Sequence, residues 1–307
     1  MSNARTAVQK DIAALRDASQ STTLIPVGGS GPDEEIARVL RNGLAVYALA
    51  ALERFLRERV AELSIALTSH SHLKFGDLSE PLRTRIAVDS LEALSSELRR
   101  SLDPLSKVAS IVAMGESLAS LRSSQIKFSE FAFQWPGSNV RGEDLELSLR
   151  ALGYKNPWGQ LSEVVSRTKC GNGAPTIFRG LVDRRHSAAH DAGHTVSAIE
   201  VRSLHRDLLT LALCFDALFS DAVRCLVAGD LAATADTSRL VVTWVEKPQN
   251  AKKYRVKSAL KRPRTFATFD DAVHFVVARD QKVGKGTLVV FQDSSGVIAD
   301  WRLTVDT

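Results

Sequence analysis

The sequence predicts a mainly α-helical protein that ends in a small α+β domain of ββαββ order. Apolar residues recur at intervals of three and four through most of residues 32–229, which is typical of helices with one core-facing stripe. After Gly229 the pattern changes to runs rich in β-branched residues, which is typical of strands. We therefore expect an N-terminal helix and linker over residues 1–31, a helical domain over 32–229 and a small basic domain over 238–307.

Several helix boundaries are marked by residues that favour a start or a stop. Pro175 follows a glycine-rich run and suits the first turn of a helix. Ser197 and Glu200 have the spacing of a capping box, in which each side chain binds the other residue's backbone N–H. Helices are predicted around residues 8–15 and over 33–67, 79–102, 104–122, 143–152, 158–168, 175–191 and 197–227.

The tail should contain four strands and one helix. The helix is expected over 269–279, after Thr268, whose hydroxyl suits the N-cap position. A hairpin turn is expected at 294–296. Through residues 266–272 and 288–291 the tail resembles a small ββαβ domain of unknown function found in bacteria, and this resemblance implies no activity. The strands are predicted at 240–245, 254–257, 288–291 and 297–305.

Composition argues against secreted and membrane classes. The chain has no run of about 18 apolar residues, and its first residues lack the apolar core of a secretory signal. Its three cysteines are an odd number without a CxxC pair, which favours neither a disulfide framework nor a four-thiolate zinc site. We expect a cytoplasmic protein without a membrane partner.

The basic excess of the chain lies in its tail. From Arg239 onward there are 13 Lys or Arg and 7 Asp or Glu, whereas the whole chain has a net charge of +5. Such asymmetry is typical of an element that contacts a polyanion, and equally of a solvated face or of edge-strand lysines that prevent aggregation. The candidate RNA-binding residues of the tail are Lys252, Lys253, Arg255 and Lys257.

The densest group of chemically useful side chains lies in residues 181–194, which hold three of the seven histidines. Arg185 and His190 are separated by four residues, and His186 directly follows the arginine. Arginine and histidine at this kind of spacing occur three times in the chain, so the spacing alone is not specific. The position of the pair, near the end of one helix and just before a long last helix, is what makes it informative.

In this layout the chain resembles the HEPN family, and within it the ribonuclease-L-like branch. Members present an arginine, a polar residue, three further residues and a histidine near the start of the final helical pair of a bundle. Arg185, His186 and His190 match those positions, and the resemblance covers about residues 35–228. The resemblance implies a HEPN-like helical bundle and an RNA-cleaving site shared by two copies of the chain. It also implies a setting in toxin or phage-defence systems, with a possible antitoxin or defence partner protein.

The residue types fit RNA cleavage without a metal or another cofactor. Histidine titrates near neutrality and can exchange protons, so His190 can act on the 2′-hydroxyl of RNA. The guanidinium of Arg185 is a forked, permanently charged donor to phosphate oxygens. His186 and Arg184 are expected to assist, the first at the catalytic site and the second in RNA binding.

Helix geometry favours a dimer. Residues five positions apart are about 140° apart around a helix and about 7.5 Å along it, so Arg185 and His190 are not expected to share a face. A second copy of the helix, related by a two-fold axis, would complete the site. We therefore expect a homodimer in which the helices over 176–191 lie near the symmetry axis.

Other interpretations remain open. The cluster can be a solvated polar face of a packed helix, or a zinc site formed by His186, His190 and His194. A glycine before His194 and the lack of a glutamate after His186 count against zinc. The domain can also be a noncatalytic module that binds RNA, nucleotide or a partner protein, or a purely scaffolding helical dimer.

Overall fold

The computed structural model describes most of the chain. Parts of the expected linker and of the hairpin turn at 294–296 lie outside the described residues. Contacts divide the chain into two compact units, one formed by 3–58 with 161–215 and the other by 1–2, 59–160 and 216–307. The structure describes residues 2–303 except 25–31, 71, 138, 172, 192, 231–236, 249–250, 258–262, 282–284 and 295–297.

The predicted mainly α-helical class is confirmed. Every predicted helical segment is helical, although residues 79–102 form two helices joined by a π-helical turn at Arg85–Asp89. Among the described residues, no helix is both long enough and apolar enough to cross a lipid bilayer. The helices are α1 Asn3–Ser19, α2 Pro32–His70, α3 Glu80–Thr84, α4 Ser90–Arg100, α5 Pro104–Ser120, α6 Gly142–Ala151, α7 Pro157–Thr168, α8 Ala174–His190, α9 Ala198–Val227 and α10 Phe269–Gln281.

Residues 3–58 and 161–215 form a helical unit in which charged side chains join neighbouring segments. Asp11 of α1 accepts hydrogen bonds from Arg54 and, at 2.6 Å, from the Tyr47 hydroxyl of α2. Arg41 of α2 is buried and donates to the Val196 carbonyl at 2.9 Å. Because an unpaired buried guanidinium is costly, Arg41 fixes the backbone just before α9 against α2.

The predicted helix ends around the motif are confirmed. Pro175 lies in the first turn of α8. At the start of α9 the Ser197 N–H donates to Glu200 Oε2 at 2.9 Å, and the Glu200 N–H donates to Ser197 Oγ at 3.2 Å, which is the expected capping box. Between them, Asp191 adopts an extended conformation directly after α8, so His190 is the last helical residue.

The tail forms a sheet with strand order β3-β2-β1-β4-β5. The predicted strands are all present, and a two-residue strand, β3, was not predicted because it is too short to show alternation. β1 and β4 pair in parallel, and the other neighbours pair antiparallel. The strands are β1 Leu240–Glu246, β2 Tyr254–Lys257, β3 Thr265–Phe266, β4 Gly286–Gln292 and β5 Ile298–Leu303.

A buried carboxylate joins this sheet to two helices of the same unit. Asp216 of α9 is 0% exposed and accepts from Arg59 Nε of α2 at 2.7 Å. Its other oxygen accepts from Trp301 Nε1 of β5 at 2.8 Å. Nearby, a Cβ at Gly286 would collide with the Asp221 carboxylate, so β4 begins directly against α9. These contacts join α2 and α9 to the tail across the expected boundary between residues 229 and 238, and the boundary itself stays a prediction.

The first prediction concerns this carboxylate. Trp301→Phe removes the indole donor and should lower the free energy of unfolding by about 1–3 kcal/mol, because a buried acceptor loses its partner. Asp216→Ala removes the fully buried carboxylate that accepts from Arg59 Nε and should lower it by about 3–5 kcal/mol. Urea denaturation followed by circular dichroism measures both. Trp244→Phe, at a partly buried tryptophan of β1, is the control. Equal losses in Trp244→Phe and Trp301→Phe would contradict the role of the Asp216 contact.

Candidate functional site

The end of α8 gathers the three motif side chains in a single protomer. Arg185 Nη1 lies 3.4 Å from His190 Nε2. The rings of His186 and His190 are 4.9 Å apart between centroids and tilted by 51°. Both imidazoles are exposed to solvent. The site therefore combines one guanidinium and two accessible imidazoles on the last two turns of one helix.

The expectation that Arg185 and His190 diverge is wrong. The angle of about 140° describes where the side chains leave the helix, not where their ends lie. The arginine side chain is long and flexible, and it extends toward the helix end. His190 is the last residue of α8, so no following turn covers its ring. One protomer therefore brings the pair together without a second copy.

The contact between Arg185 and His190 has one direction if it is a hydrogen bond. A guanidinium has donors only, so across this contact Nε2 of His190 would accept. Which ring nitrogen carries a proton depends on the tautomer, which is assigned rather than observed. A neutral imidazole with a free pair is the form that a general base requires.

An open cavity of about 520 Å³ lies beside this pair, between α2 and the end of α8. Its volume is within the range of small-ligand sites, and its α2 wall lies about 150 positions from the motif in sequence, which is why sequence reasoning missed it. At Gly43 a Cβ would meet no neighbouring atom, so the glycine faces open space. The cavity is lined by Arg38, Val39, Asn42, Gly43, Val46, Ala188, Ala189, His190 and Asp191.

Asn42 fixes the segment that follows the motif. Its Nδ2 donates to the His194 carbonyl at 2.9 Å, and its Oδ1 accepts from the Val196 N–H at 3.0 Å. Both hydrogen bonds use one amide, so this backbone is tied to α2 in a defined orientation. Asn42 is a positioning residue that no motif in the sequence indicated.

Arg184, predicted to bind RNA, lies in a different environment from Arg185. Its Nη2 donates to Asp207 Oδ2 of α9 at 2.6 Å, and its side chain is 17% exposed. Ser203 donates to the same Asp207 oxygen at 3.2 Å. In this arrangement Arg184 joins α8 to α9, and its role in RNA binding stays a prediction.

His194, the third histidine of the motif region, lies beyond α8 on the segment held by Asn42. Burial alone would raise the pKa of Glu200, but hydrogen bonds from Ser197 and the charges of Arg184 and His194 together lower it. Within the part of the chain that the structure describes, no group of three His, Cys, Asp or Glu residues is arranged to hold a metal ion.

The basic residues predicted in the tail belong to the other compact unit. Lys252 and Lys253 are exposed. Lys257 Nζ lies 2.7 Å from a Glu246 carboxylate oxygen, and Arg255 Nη1 lies 3.7 Å from the other one. Two of the four cations are thus partly neutralised by one carboxylate, and RNA binding by this group stays a prediction.

The class of protein is indicated by a helical domain with an Arg-x4-His motif at the end of α8, directly before the long helix α9. The family model described as RiboL-PSP-HEPN matches residues 7–221, which is more than half of the chain. The chain therefore belongs to the HEPN family. No curated protein and no solved structure matches it. HEPN domains are often RNases, so the family supports an RNase-like or RNA-binding function.

The second prediction tests whether Arg184 and Asp207 hold α8 in place. In Asp207→Ala the guanidinium of Arg184, which is largely buried, loses its carboxylate partner. This loss should lower the free energy of unfolding by about 1–3 kcal/mol. Glu146→Ala is the control, because the Arg150–Glu146 pair has the same 2.6 Å distance but is 50% and 31% exposed. Its loss should stay below about 1 kcal/mol. If denaturation gives the two variants equal stability, the Arg184–Asp207 pair is only a surface contact.

Proposed function

We propose that the protein is a metal-independent endoribonuclease that cleaves RNA through the RNA's own 2′-hydroxyl. The observation that supports this most directly is the 3.4 Å contact between Arg185 Nη1 and His190 Nε2, beside an open cavity. The pair combines a proton acceptor with a permanent cation suited to phosphate.

The reaction can be written with the side chains present. His190 removes the proton of the 2′-hydroxyl, and the 2′-oxygen forms a bond to phosphorus while the bond to the 5′-oxygen breaks. Arg185 stabilises the charge that develops on the phosphate oxygens. His186, whose ring lies 4.9 Å from that of His190, donates a proton to the departing 5′-oxygen when it is protonated. The products are a 2′,3′-cyclic phosphate and a 5′-hydroxyl.

The donor set around the motif supports a route without a metal. Mg²⁺ sites in nucleases are built from several carboxylate oxygens. The motif helix and its exit supply only Asp183 and Asp191, and Asp191 Oδ1 already accepts from the Gly193 N–H at 2.9 Å. A base and a cation made of side chains perform the two tasks that the metals would otherwise share.

A homodimer is part of the proposal. It is supported by an exposed apolar surface of α2 and not by the divergence of Arg185 and His190 on α8. The first half of α2 exposes a row of large apolar side chains: Ile36, Val39, Leu40 and Tyr47 are 41–59% exposed. Val39 also lines the cavity beside His190. An exposed apolar row next to a polar site is typical of a protein interface, and HEPN domains often dimerise. A second copy would cover this row and enclose the site.

The cellular role that we propose is an effector of toxin or phage-defence systems that cleaves cytoplasmic RNA. This part rests on the family alone. An antitoxin or a defence partner protein would then control the activity, since an unregulated ribonuclease harms its own cell.

The third prediction tests the reaction. Purified protein should cleave RNA but not DNA in EDTA and leave 2′,3′-cyclic phosphate ends. Arg185→Ala and His190→Ala should each lower the cleavage rate by about 10²–10⁴-fold, because each removes a group that acts in the transition state. His186→Ala should also lower the rate, because the departing 5′-oxygen loses its proton donor. The exposed residues Arg122 and His274 provide the controls Arg122→Ala and His274→Ala. Cleavage of DNA, a strict metal requirement or full activity in His190→Ala would refute the mechanism and favour a binding module.

The fourth prediction tests the dimer. Val39→Asp places a charge in the exposed row of α2 and should convert a dimer to a monomer in analytical ultracentrifugation, with loss of cleavage. Val108→Asp is the matched control, because Val108 of α5 is 58% exposed and Val39 is 59% exposed. It should leave both the mass and the activity unchanged. A wild-type monomer that cleaves RNA would contradict this assembly.

A further inference from the structure

A second cavity in the same helical unit is distinct from the one beside His190. It has a volume of about 400 Å³ and lies where the C-terminal end of α1 meets the first turns of α9. Ser19, Gln20, Arg202 and His205 line it, and none of them lines the His190 cavity. The proposed reaction assigns no task to these residues.

Arg202 lines this cavity, and the positive charges of Arg206 and Arg16 act on His205 beside it. Arg206 lies one turn after Arg202 on α9, and Arg16 lies in the last turn of α1. Among the described residues, no carboxylate forms an ion pair with Arg202 or Arg206. The nearest acidic neighbour on α9, Asp207, is already paired with Arg184 at 2.6 Å. The local positive charge is therefore only weakly compensated.

His205 experiences this charge directly. Burial lowers its pKa, and the positive charges of Arg206 and Arg16 lower it further, whereas Asp207 and the Arg202 carbonyl act in the opposite direction. An imidazole placed among guanidinium groups is unfavourable for packing alone, since an apolar residue would fill the space at no electrostatic cost. The arrangement becomes favourable when an anion enters the cavity.

The C-terminal end of a helix usually disfavours an anion, because its free carbonyls carry partial negative charge. At the end of α1 this effect is reduced. Its last carbonyls are already engaged: Ser19 Oγ donates to the Arg16 carbonyl at 2.7 Å, and the Gln20 N–H donates to the Asp17 carbonyl at 3.2 Å. Asp17 is exposed and lies 3.5 Å from Arg16. The engaged carbonyls present less negative charge to the cavity, and the side-chain amide of Gln20 adds a donor.

We propose that this cavity is a phosphate subsite that binds one backbone phosphodiester of an RNA strand. Arg202 supplies a forked donor to its oxygens, Arg206 adds positive charge next to the cavity, Gln20 supplies an amide donor, and His205 gains a proton when the anion binds. The inference deepens the proposed function and rests on it for the identity of the ligand. A backbone phosphate is favoured because Arg206 directly precedes Asp207, the residue that ties α9 to the motif helix through Arg184.

Binding of a strand that cannot be cleaved tests the subsite without relying on activity. The full-length protein is titrated into a labelled 2′-O-methyl oligonucleotide, and fluorescence anisotropy gives the affinity at several salt concentrations. Replacing both Arg202 and Arg206 by Gln should weaken binding about tenfold, the effect of losing a charged hydrogen bond. The slope of log affinity against log salt should fall by about 0.7 for each lost phosphate contact. Arg122→Gln, at an exposed arginine of the other unit, should change neither value.

The ring signal of His205 gives a second readout. In ¹³C-histidine-labelled protein, the oligonucleotide and inorganic phosphate should each shift this signal in a saturable way, and Arg202→Gln should abolish the shift. A phosphodiester keeps its charge across the working pH range, whereas His205 takes up a proton when the anion binds. Wild-type affinity for the oligonucleotide should therefore rise as the pH falls, and His205→Gln should weaken that dependence while His274→Gln leaves it intact.

The outcomes separate this proposal from the proposed function. If the wild type does not cleave RNA but the oligonucleotide still shifts His205 and loses affinity in the double variant, the ribonuclease assignment fails and the subsite stands. An unchanged salt slope in the double variant, or an equal loss in Arg122→Gln, overturns the subsite. A His205 shift with inorganic phosphate but not with the oligonucleotide overturns it as well, since the cavity then binds free phosphate rather than a strand.

Discussion

The buried carboxylate of Asp216 is the constraint on which the larger unit depends. A charged group with no exposure to water is tolerated only when ions and donors satisfy it, and here Arg59, Ser220 and Trp301 do so. These partners belong to α2, α9 and β5, which are far apart in sequence. Satisfying the charge and the hydrogen-bonding capacity of Asp216 therefore requires three elements that are distant in sequence to come together. The tail is thus held to α2 and α9 through this side chain.

Helix α9 belongs to both compact units, with residues 198–215 in one and residues 216–227 in the other. Its second half is buried almost all round, as expected for a helix covered by neighbours on several sides. Its first half carries Asp207 on one side and the Arg202–His205 cavity on another. The change from a buried to a partly exposed helix explains why the side chains of the proposed subsite lie in the first turns of α9. There, side chains can face water and a ligand while the apolar stripe still packs.

Much of this architecture could be predicted from periodicity, because helices and strands depend on local patterns. The capping box of Ser197 and Glu200 and the start of α8 at Pro175 followed from short-range chemistry alone. The cavity beside His190 could not, since Asn42 reaches it through the tertiary packing of α2. The contact between Arg185 and His190 was missed for a different reason. Backbone geometry places Cβ atoms, whereas the end of a long side chain has a much wider reach.

The same electrostatic arrangement occurs in both cavities of the helical unit. In each, an imidazole lies beside guanidinium groups: His190 beside Arg185, and His205 near Arg206 and Arg16. Burial and the charges of Arg206 and Arg16 lower the pKa of His205, which disfavours its protonated form before an anion arrives. In the proposed reaction, a phosphate that attracts the guanidinium away from His190 would free Nε2 for the 2′-hydroxyl. Substrate charge would then activate the base, which ties the chemistry to the presence of a polyanion and leaves the site inactive toward water in its absence.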